Sequence, residues 1–335
     1  MSLVRKLSRT VAASAVMAVV AQSPVGADVP DVVVSILPIH SLVAGVMDGV
    51  GTPTLLVKGG GSPHAYTLRP SEAQALQGAD LVFWVGEDLE TFLGKALRSL
   101  PRKARVVALH EAEGVTLLSY REGGAWEEHA DDDGDDHDHG HKHDDGHKHD
   151  HGHKHGDEHA HGAKDMHIWL DPTNAQAMVA QVVAILSEVD PANAPRYRAN
   201  ATAVHARLAE LDAALAADLA AVKGRRYVVF HDAYQYFENR YGLTPAGSIT
   251  VSPDRQPSAG RLAEIRAKIA ATGAACVFAE PQFEPALVKT VIEGSAARTG
   301  ILDPLGADLA PGPDAYIALM RDLATSLNEC LRSSS

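Results

Sequence analysis

Residues 194–222, APRYRANATAVHARLAELDAALAADLAAV, form the longest helical pattern in the chain. Within it, Leu208, Leu211, Leu215 and Leu219 recur at spacings of three and four, which places them on one face of a helix. A Lys-Gly pair then ends the pattern. At about 1.5 Å per residue, such a helix is about 40 Å long. It predicts a strut between the two halves of the chain.

Short apolar strands alternate with helical patterns on both sides of this strut. Before it, the predicted strands are Val32–Leu37, Thr54–Val57, Asp80–Val85 and Arg105–Leu109, and the predicted helices include Ser41–Val50, Ser71–Gly78 and Leu89–Leu100. After it, the predicted strands are Tyr227–Phe230, Ile249–Val251, Ala275–Phe278 and Gly300–Leu302, with helices at Arg261–Ala271, Pro285–Arg298 and Ala315–Leu331. Such alternation indicates an α/β fold with a parallel-type sheet flanked by helices in each half.

Residues 127–161 have no apolar run and no helical or strand period. The unit Gly-His-Lys-His recurs every six residues, at 140–143, 146–149 and 152–155. We expect a disordered loop, because so polar a segment buries too little apolar surface to offset chain entropy. Clustered imidazoles also predict an auxiliary, weaker zinc site, although a solvated acidic spacer is the alternative. The twelve histidines are His129, His137, His139, His141, His143, His147, His149, His151, His153, His155, His159 and His161.

The first 27 residues are typical of a secretory signal peptide. Three basic residues precede a short apolar core at Val11–Val20, and Val25–Ala27 provides small residues for cleavage near Ala27. Cleavage at Ala21 is a second option, and an amphipathic start of the fold is the alternative. The apolar core is too short to span a bilayer, so we expect a soluble, exported product.

Most of the net charge of −13 lies in the His-rich segment. Thirteen acidic residues against three lysines give residues 127–161 a net charge of −10, so the rest of the chain carries about −3. A nearly neutral fold argues against nucleic acid or an anionic membrane as a partner.

The two cysteines, Cys276 and Cys330, both lie in the last quarter of the chain. In an oxidising compartment such an isolated pair predicts one disulfide, with two buried free thiols as the alternative. A bond would close a loop of about 55 residues, which is worth on the order of 4 kcal/mol on the chain-entropy model.

Three of the six histidines outside the His-rich segment lie in connections next to predicted strands. His64 lies in a Gly- and Pro-rich turn, His167 on a short extended piece before a helix, and His231 at the carboxyl end of a strand. Clefts form at such places, so each histidine is a candidate metal ligand or a satisfied polar residue. His205 is expected to be a solvated residue of the strut, and His40 and His110 show no second signal.

Four motifs carry a specific resemblance. They are SPHAYTLRPS at 62–71, MHIWLDP at 166–172, FHDAY at 230–234 and FAEPQF at 278–283. In this order they resemble the zinc-uptake substrate-binding proteins of ABC transporters, the ZnuA type. The resemblance extends from about Val32 to Leu331 and includes the acidic His-rich insertion and the late cysteine pair.

The resemblance implies two α/β lobes joined by one long rigid helix, with zinc in the cleft between them. It implies that His64, His167 and His231 are the zinc ligands. Three imidazoles suit Zn²⁺ better than Mn²⁺. By position, Asp303 is the candidate fourth ligand, and water is the alternative. Glu280, at a predicted strand end, is expected to make a structural pairing rather than to bind the metal.

The resemblance also implies the domain limits and the function. We expect a first lobe at 28–190, a linking helix at 191–223 and a second lobe at 224–335. The implied function is capture of Zn²⁺ in the periplasm by a monomer and its delivery to an inner-membrane ABC permease and its ATPase. Periplasmic zinc chaperones are a further candidate partner.

Two other classes of protein share some of these sequence features. Three histidines with an open fourth position also describe a catalytic zinc site, but the sequence has no His-Glu-x-x-His helix and no Gly-x-Ser-x-Gly turn. We therefore expect a protein that is not an enzyme. A zinc-storage protein is the other alternative, although storage does not require two α/β halves.

Overall fold

A computed structural model describes residues 29–100, 103–121, 126, 164–250, 257–283 and 286–332. The predicted signal peptide and the His-rich segment 127–161 lie outside these ranges. Within them, no helix is both long enough and apolar enough to cross a membrane.

The first sheet has four parallel strands in the order β2-β1-β3-β4. The two central strands are buried along their whole length, as expected for a sheet covered on both faces. The strands are β1 Val32–Val34, β2 Thr54–Leu55, β3 Leu81–Trp84 and β4 Arg105–Ala108. The helices between them are α1 Leu37–Val46, α2 Pro70–Gly78 and α3 Thr91–Ser99.

A short antiparallel pair follows the first sheet, formed by β5 Leu118–Ser119 and β6 Lys164–Asp165. The chain then enters helix α4, Pro172–Val189. Pro172 is the first residue of this helix, and Asp171 caps its start, because the Asp171 side chain accepts a hydrogen bond from the Thr173 backbone N–H at 2.7 Å.

The predicted strut is present as helix α5, Ala194–Asp218, continued by a 3₁₀ helix at Leu219–Val222. All four leucines of the predicted face are buried. The strut packs against α1 and α4 and also against the C-terminal helix α9, Ala315–Arg332. One helix therefore contacts both halves of the chain.

The second sheet has four parallel strands in the order β10-β9-β7-β8. These are β7 Arg226–His231, β8 Thr244–Thr250, β9 Cys276–Ala279 and β10 Arg298–Ile301. The remaining helices are α6 Gln235–Tyr241, α7 Ala259–Thr272 and α8 Ala286–Ile292. The predicted α/β class with two parallel sheets and one long helix is thus confirmed.

Several predicted boundaries were wrong. The first strand ends at Val34 instead of Leu37, because Pro38 favours the first turn of a helix and α1 begins at Leu37. Helix α8 ends at Ile292, and Gly294 follows with φ of 77°, in the left-handed region that favours glycine. Helix α6 was not predicted, because most of its seven residues are buried and it shows no amphipathic period.

The two lobes share one hydrophobic core. A single cluster of buried side chains extends from the first sheet through α4 and α5 to α9 and β7. Three hydrogen bonds cross the same boundary. Trp169 Nε1 donates to the Pro304 carbonyl at 2.8 Å. The Tyr316 hydroxyl donates to the Trp169 carbonyl at 2.7 Å. The Tyr316 backbone N–H donates to Ser41 Oγ at 2.9 Å. A large apolar contact of this kind limits relative motion of the lobes.

The two cysteines form the predicted disulfide. Cys276 lies at the start of β9 and Cys330 in α9, and their Cα atoms are 6.2 Å apart. The bond attaches the last helix to the second sheet. Free thiols are therefore excluded as the alternative.

Glu90 is a buried carboxylate at the carboxyl edge of the first sheet. Its Oε2 accepts hydrogen bonds from the backbone N–H groups of Val85 at 2.9 Å and Gly86 at 3.0 Å. Burial raises the pKa of Glu90 to about 7, although the hydrogen bonds from the Gly86 and Val85 backbone oppose that rise. A carboxyl group whose pKa is higher in the folded chain than in the unfolded chain favours folding at low pH. That contribution is complete below about pH 4.5 and is lost as the pH rises through about 7.

We expect Glu90→Gln to raise the free energy of unfolding more at pH 8 than at pH 5. Relative to the protonated carboxyl, the ionisable group costs on the order of 3 kcal/mol of stability at pH 8 and about 1 kcal/mol at pH 5, and the amide removes this cost. Urea unfolding of the zinc-free protein at both pH values measures the change. Glu87→Gln is the control, because Glu87 is exposed and pairs with Arg98 at 2.9 Å. An equal effect of Glu90→Gln at both pH values would contradict the pKa assignment.

Candidate metal centre

The three candidate histidines come from three separate parts of the chain. His64 lies in a 3₁₀ helix at Pro63–Ala65, whose backbone at His64 donates to Ser62 Oγ at 3.3 Å. His167 follows β6 and precedes a second 3₁₀ helix, and His231 is the last residue of β7. Carboxyl ends of parallel strands are where ligands bind in open α/β sheets.

The structure brings the three imidazoles together. Each offers one ring nitrogen, and these nitrogens lie within 4.8 Å of one another. The Nε2 atoms of His167 and His231 are 3.3 Å apart. Two ligands of a tetrahedral zinc ion with Zn–N distances of about 2.0–2.1 Å are separated by about 3.3 Å, so this pair already has the spacing that zinc requires. Within the described residues, this is the single group of three or more His, Cys, Asp or Glu side chains placed to share a metal ion.

Two buried carboxylates orient two of the rings. Asp165 Oδ1 contacts His167 Nδ1 at 2.7 Å and also accepts from the His167 backbone N–H at 3.0 Å. Glu280 Oε1 contacts His231 Nδ1 at 2.6 Å. Both carboxylates are buried. A carboxylate on Nδ1 keeps the proton there and turns the Nε2 lone pair toward the metal, the usual support of a metal-binding histidine.

This arrangement calls for a cation between the rings. With both Nδ1 atoms donating to carboxylates, the neutral rings of His167 and His231 present two lone pairs to each other at 3.3 Å. Burial and the two neighbouring histidines lower the pKa of His64 well below its ordinary value, which favours the neutral ring that binds metal. Burial alone would lower the pKa of His231, but the charge and hydrogen bond of Glu280 raise it. A proton or a metal ion on the His231 ring compensates the buried negative charge of Glu280.

The space around the rings is small and lined by both polar and apolar side chains. Its lining includes Trp169, Phe283, Pro304 and Leu305, and its volume is about 10 Å³. That is about the smallest cavity that holds one water molecule, so it accommodates an ion but no organic substrate. A larger groove of about 1030 Å³ lies at the amino ends of the second sheet, and none of the candidate ligands lines it.

Asp303 makes hydrogen bonds within its own turn. Its Oδ1 accepts from the backbone N–H groups of Leu305 and Gly306, each at 3.0 Å, and from Gln282 Nε2 at 2.8 Å. Its Oδ2 accepts from the Ala307 N–H at 2.5 Å. These bonds account for Asp303 as a turn residue, and its role as a fourth ligand stays a prediction.

The other three described histidines lie outside the metal centre. His40 is buried, with Nε2 3.0 Å from the Pro53 carbonyl, and His110 Nδ1 lies 2.7 Å from the Val85 carbonyl. His205 is half-buried on the strut. The twelve histidines of the His-rich segment lie outside the described residues.

Sequence reasoning did not find Asp165. The only local signal was an acidic residue two positions before His167, a spacing that is common by chance. Glu280 was expected to make a structural pairing, and the structure supplies that pairing, with His231.

Two α/β lobes with three convergent imidazoles between them define a metal-binding solute-binding protein. The family model of the periplasmic zinc-uptake complex component A, ZnuA, matches residues 32–330. The chain belongs to this family.

Curated relatives match along nearly the whole chain. The high-affinity zinc uptake system protein ZnuA of Brucella abortus (strain 2308) is 51% identical over 329 residues, which cover 95% of this chain and 97% of that protein. The protein of the same name from Paracoccus denitrificans is 45% identical, over 92% of this chain and 94% of its own length.

Solved structures show the same fold. A crystal structure of ZnuA superposes with a TM-score of 0.72 at 23% identity and covers 91% of this chain and all of its own. The periplasmic zinc-binding protein TroA from Treponema pallidum also gives 0.72, at 24% identity, and covers 90% of this chain and 99% of its own.

Proposed function

We propose that this protein captures Zn²⁺ in the periplasm at His64, His167 and His231 and delivers it to an inner-membrane ABC permease and its ATPase. One observation carries the proposal: the His167 and His231 Nε2 atoms lie 3.3 Å apart, and each ring is oriented by a buried carboxylate. The names of the curated relatives, which are zinc uptake proteins, support zinc as the cargo.

Preorganisation explains how such a site binds tightly. The carboxylates and the shared core hold the His167 and His231 rings in place before the metal arrives, so little ordering remains to be done on binding. Three imidazoles favour Zn²⁺ over Mn²⁺, which prefers carboxylate ligands. Water or Asp303 completes a tetrahedral shell.

A catalytic role for the zinc does not fit. Hydrolysis or hydration needs room for a substrate next to the metal, and the space beside the three rings is about 10 Å³. The members of the family are transport components rather than enzymes.

Zinc uptake by cells tests the transport proposal. A bacterium that lacks its own zinc-binding component but retains the permease and ATPase should recover growth in chelated medium when it expresses this protein. The variant with all three ligand histidines changed to alanine should not restore growth. Carbonate-hydration and esterase assays on the zinc-loaded protein should show no activity above that of free zinc. Recovery of growth by the triple variant would contradict the proposal.

We also propose that the His-rich segment is an auxiliary site of lower affinity and that residues 1–27 are a cleaved signal peptide. The mature protein is proposed to act as a monomer and to exchange zinc with periplasmic chaperones. The proposed lobe limits remain 28–190 and 224–335, with the linking helix at 191–223.

Deletion of residues 129–161 is expected to leave the affinity of the tight site within a few-fold and to remove the additional weakly bound ions. A site assembled from this polar segment must first be ordered, a cost that the preformed site avoids. Its imidazoles, with ordinary pKa values near 6.5, should also lose metal first as the pH falls. Zinc titration by calorimetry at pH 7.5 and 6.0 measures both effects, and uptake from chelated zinc should be slower.

A second variant tests whether the histidines or the carboxylates of this segment bind the additional ions. Replacing its twelve histidines with asparagine keeps all of its acidic residues, so it should lose the weak ions as the deletion does. If that variant kept them, the carboxylates of the segment and not its histidines would bind the additional ions. A wild-type protein that binds no additional ions would support the acidic spacer. Loss of the tight site in the deletion would show that the segment forms part of it.

A further inference from the structure

Arg121 forms a buried ion cluster between the lobes. It follows β5, and its guanidinium reaches two carboxylates of the second lobe. Nη1 donates to Glu238 Oε2 at 2.7 Å and Nε donates to Asp232 Oδ2 at 3.1 Å, while Nη2 donates to Asp232 Oδ1. The Arg121 side chain is 18% exposed, and the Asp232 and Glu238 side chains are 3% and 2% exposed.

The cluster is held on its other sides as well. Tyr227 donates its hydroxyl to Glu238 Oε1 at 2.9 Å, and the ring of Trp126 covers the guanidinium at 3.7 Å. A forked contact with a carboxylate fixes direction as well as distance, which a single hydrogen bond does not do. Arg121 therefore holds β5 in one orientation relative to β7 and α6.

The ion cluster adjoins the metal centre through both lobes. Asp232 is the residue after His231. On the other side, β5 pairs with β6 in the register Leu118↔Asp165, and Asp165 is the carboxylate that orients the His167 ring. The ion cluster thus connects the strand pair that bears Asp165 with the end of the strand that bears His231.

Hydrogen bonds between neutral groups also join the β5–β6 pair to α6. Tyr236 accepts from the Leu118 backbone N–H at 2.9 Å and donates to the Asp165 carbonyl at 2.6 Å, and Gln235 Nε2 donates to the Ser119 carbonyl at 3.2 Å. These bonds keep the strand pair against α6. The charged cluster adds an orientation that they do not fix, because each is a single bond.

We propose that Arg121 is a positioning residue that sets the separation of His167 and His231 for the metal. The inference rests on the proposed zinc site. A metal shell tolerates displacements of only about 0.5 Å, so a ligand pair whose supporting elements shift loses tetrahedral geometry. Without the guanidinium, Asp232 and Glu238 are two buried carboxylates without their cation, and the charged contact that holds β5 against the end of β7 is lost.

Cobalt(II) provides the test, because its visible absorption is intense in a tetrahedral site and weak in one with more ligands. In protein lacking residues 129–161, Arg121→Gln is expected to lower the intensity of the bound cobalt spectrum and to raise the Kd for zinc by about 10–100-fold, the range seen for residues that support metal ligands. Arg207→Gln is the matched control. It breaks the exposed ion pair between Arg207 and Asp314, which are 2.6 Å apart, and should leave spectrum and Kd unchanged.

A second variant separates positioning from folding. In Arg121→Gln with Glu238→Gln, one of the two unpaired charges is gone, so stability should recover while the cobalt spectrum stays altered, because the forked contact with Asp232 is still absent. A wild-type spectrum and Kd in either variant would overturn the inference. If Arg121→Gln does not fold, the double variant decides. Failure of the parent protein to bind cobalt or zinc would instead contradict the proposed function.

Discussion

Replacing His231 with alanine is expected to weaken zinc binding by at least about 100-fold, which corresponds to about 3 kcal/mol. The ring supplies one of the two nitrogens that already stand at the spacing of a tetrahedral zinc site. Its removal also leaves Glu280 as a buried carboxylate without its histidine. Competition with a chelator of known affinity, in protein that lacks residues 129–161, measures the loss without interference from the His-rich segment. His64→Ala and His167→Ala should give losses of similar size.

His205→Ala is the control for this series. His205 lies on the strut and outside the metal centre, so its replacement should leave zinc affinity unchanged. Wild-type affinity in the deleted protein with His231→Ala would show that the tight site lies elsewhere in the chain. A loss in His205→Ala as large as in His231→Ala would show that the measured effect is one of folding.

The sequence was sufficient to predict the elements that place the site. Strand ends and turns next to apolar runs made His64, His167 and His231 candidate ligands, since a ligand-binding edge is a local property of a strand followed by a loop. The resemblance of the four motifs then selected these three as the predicted ligands. The leucine face of the strut was predictable for the same reason, because helical periodicity is visible within one segment.

The supporting contacts were not predictable, because they depend on how distant segments meet. Glu280 and His231 are 49 residues apart, and Arg121 and Asp232 are 111 apart. No periodicity in either segment signals that these side chains face each other. The proton position that leaves the His231 Nε2 lone pair free depends on the first of these contacts.

The shared core has a consequence for metal release. Trp169 is fully buried, its ring lies 5.3 Å from the His167 ring, and it hydrogen-bonds across the lobe boundary to Pro304. A wide opening between the lobes would have to break this contact and expose apolar surface along α1, α5 and α9. Release of zinc therefore fits small local displacements of the ligands better than separation of the lobes.

Loss of the disulfide is expected to lower the free energy of unfolding by about 4 kcal/mol while leaving zinc affinity unchanged. Cys276 and Cys330 are 54 positions apart, and a cross-link of that span removes many conformations from the unfolded chain. In the folded chain, α9 still packs on α1 and α5, and β9 still pairs with β7 and β10, so Glu280 stays beside His231. Urea unfolding of the oxidised and the reduced protein, both free of zinc, measures the difference.

Comparing reduced with oxidised protein of the same sequence avoids the cavity that alanine substitutions would leave at these buried positions. The double variant Cys276→Ala and Cys330→Ala is the control for the reductant itself, since its stability should not respond to reduction. Two free thiols in protein isolated from the periplasm would contradict the bond. A large loss of zinc affinity on reduction would show that the disulfide also holds β9, and with it Glu280, in the position that His231 needs.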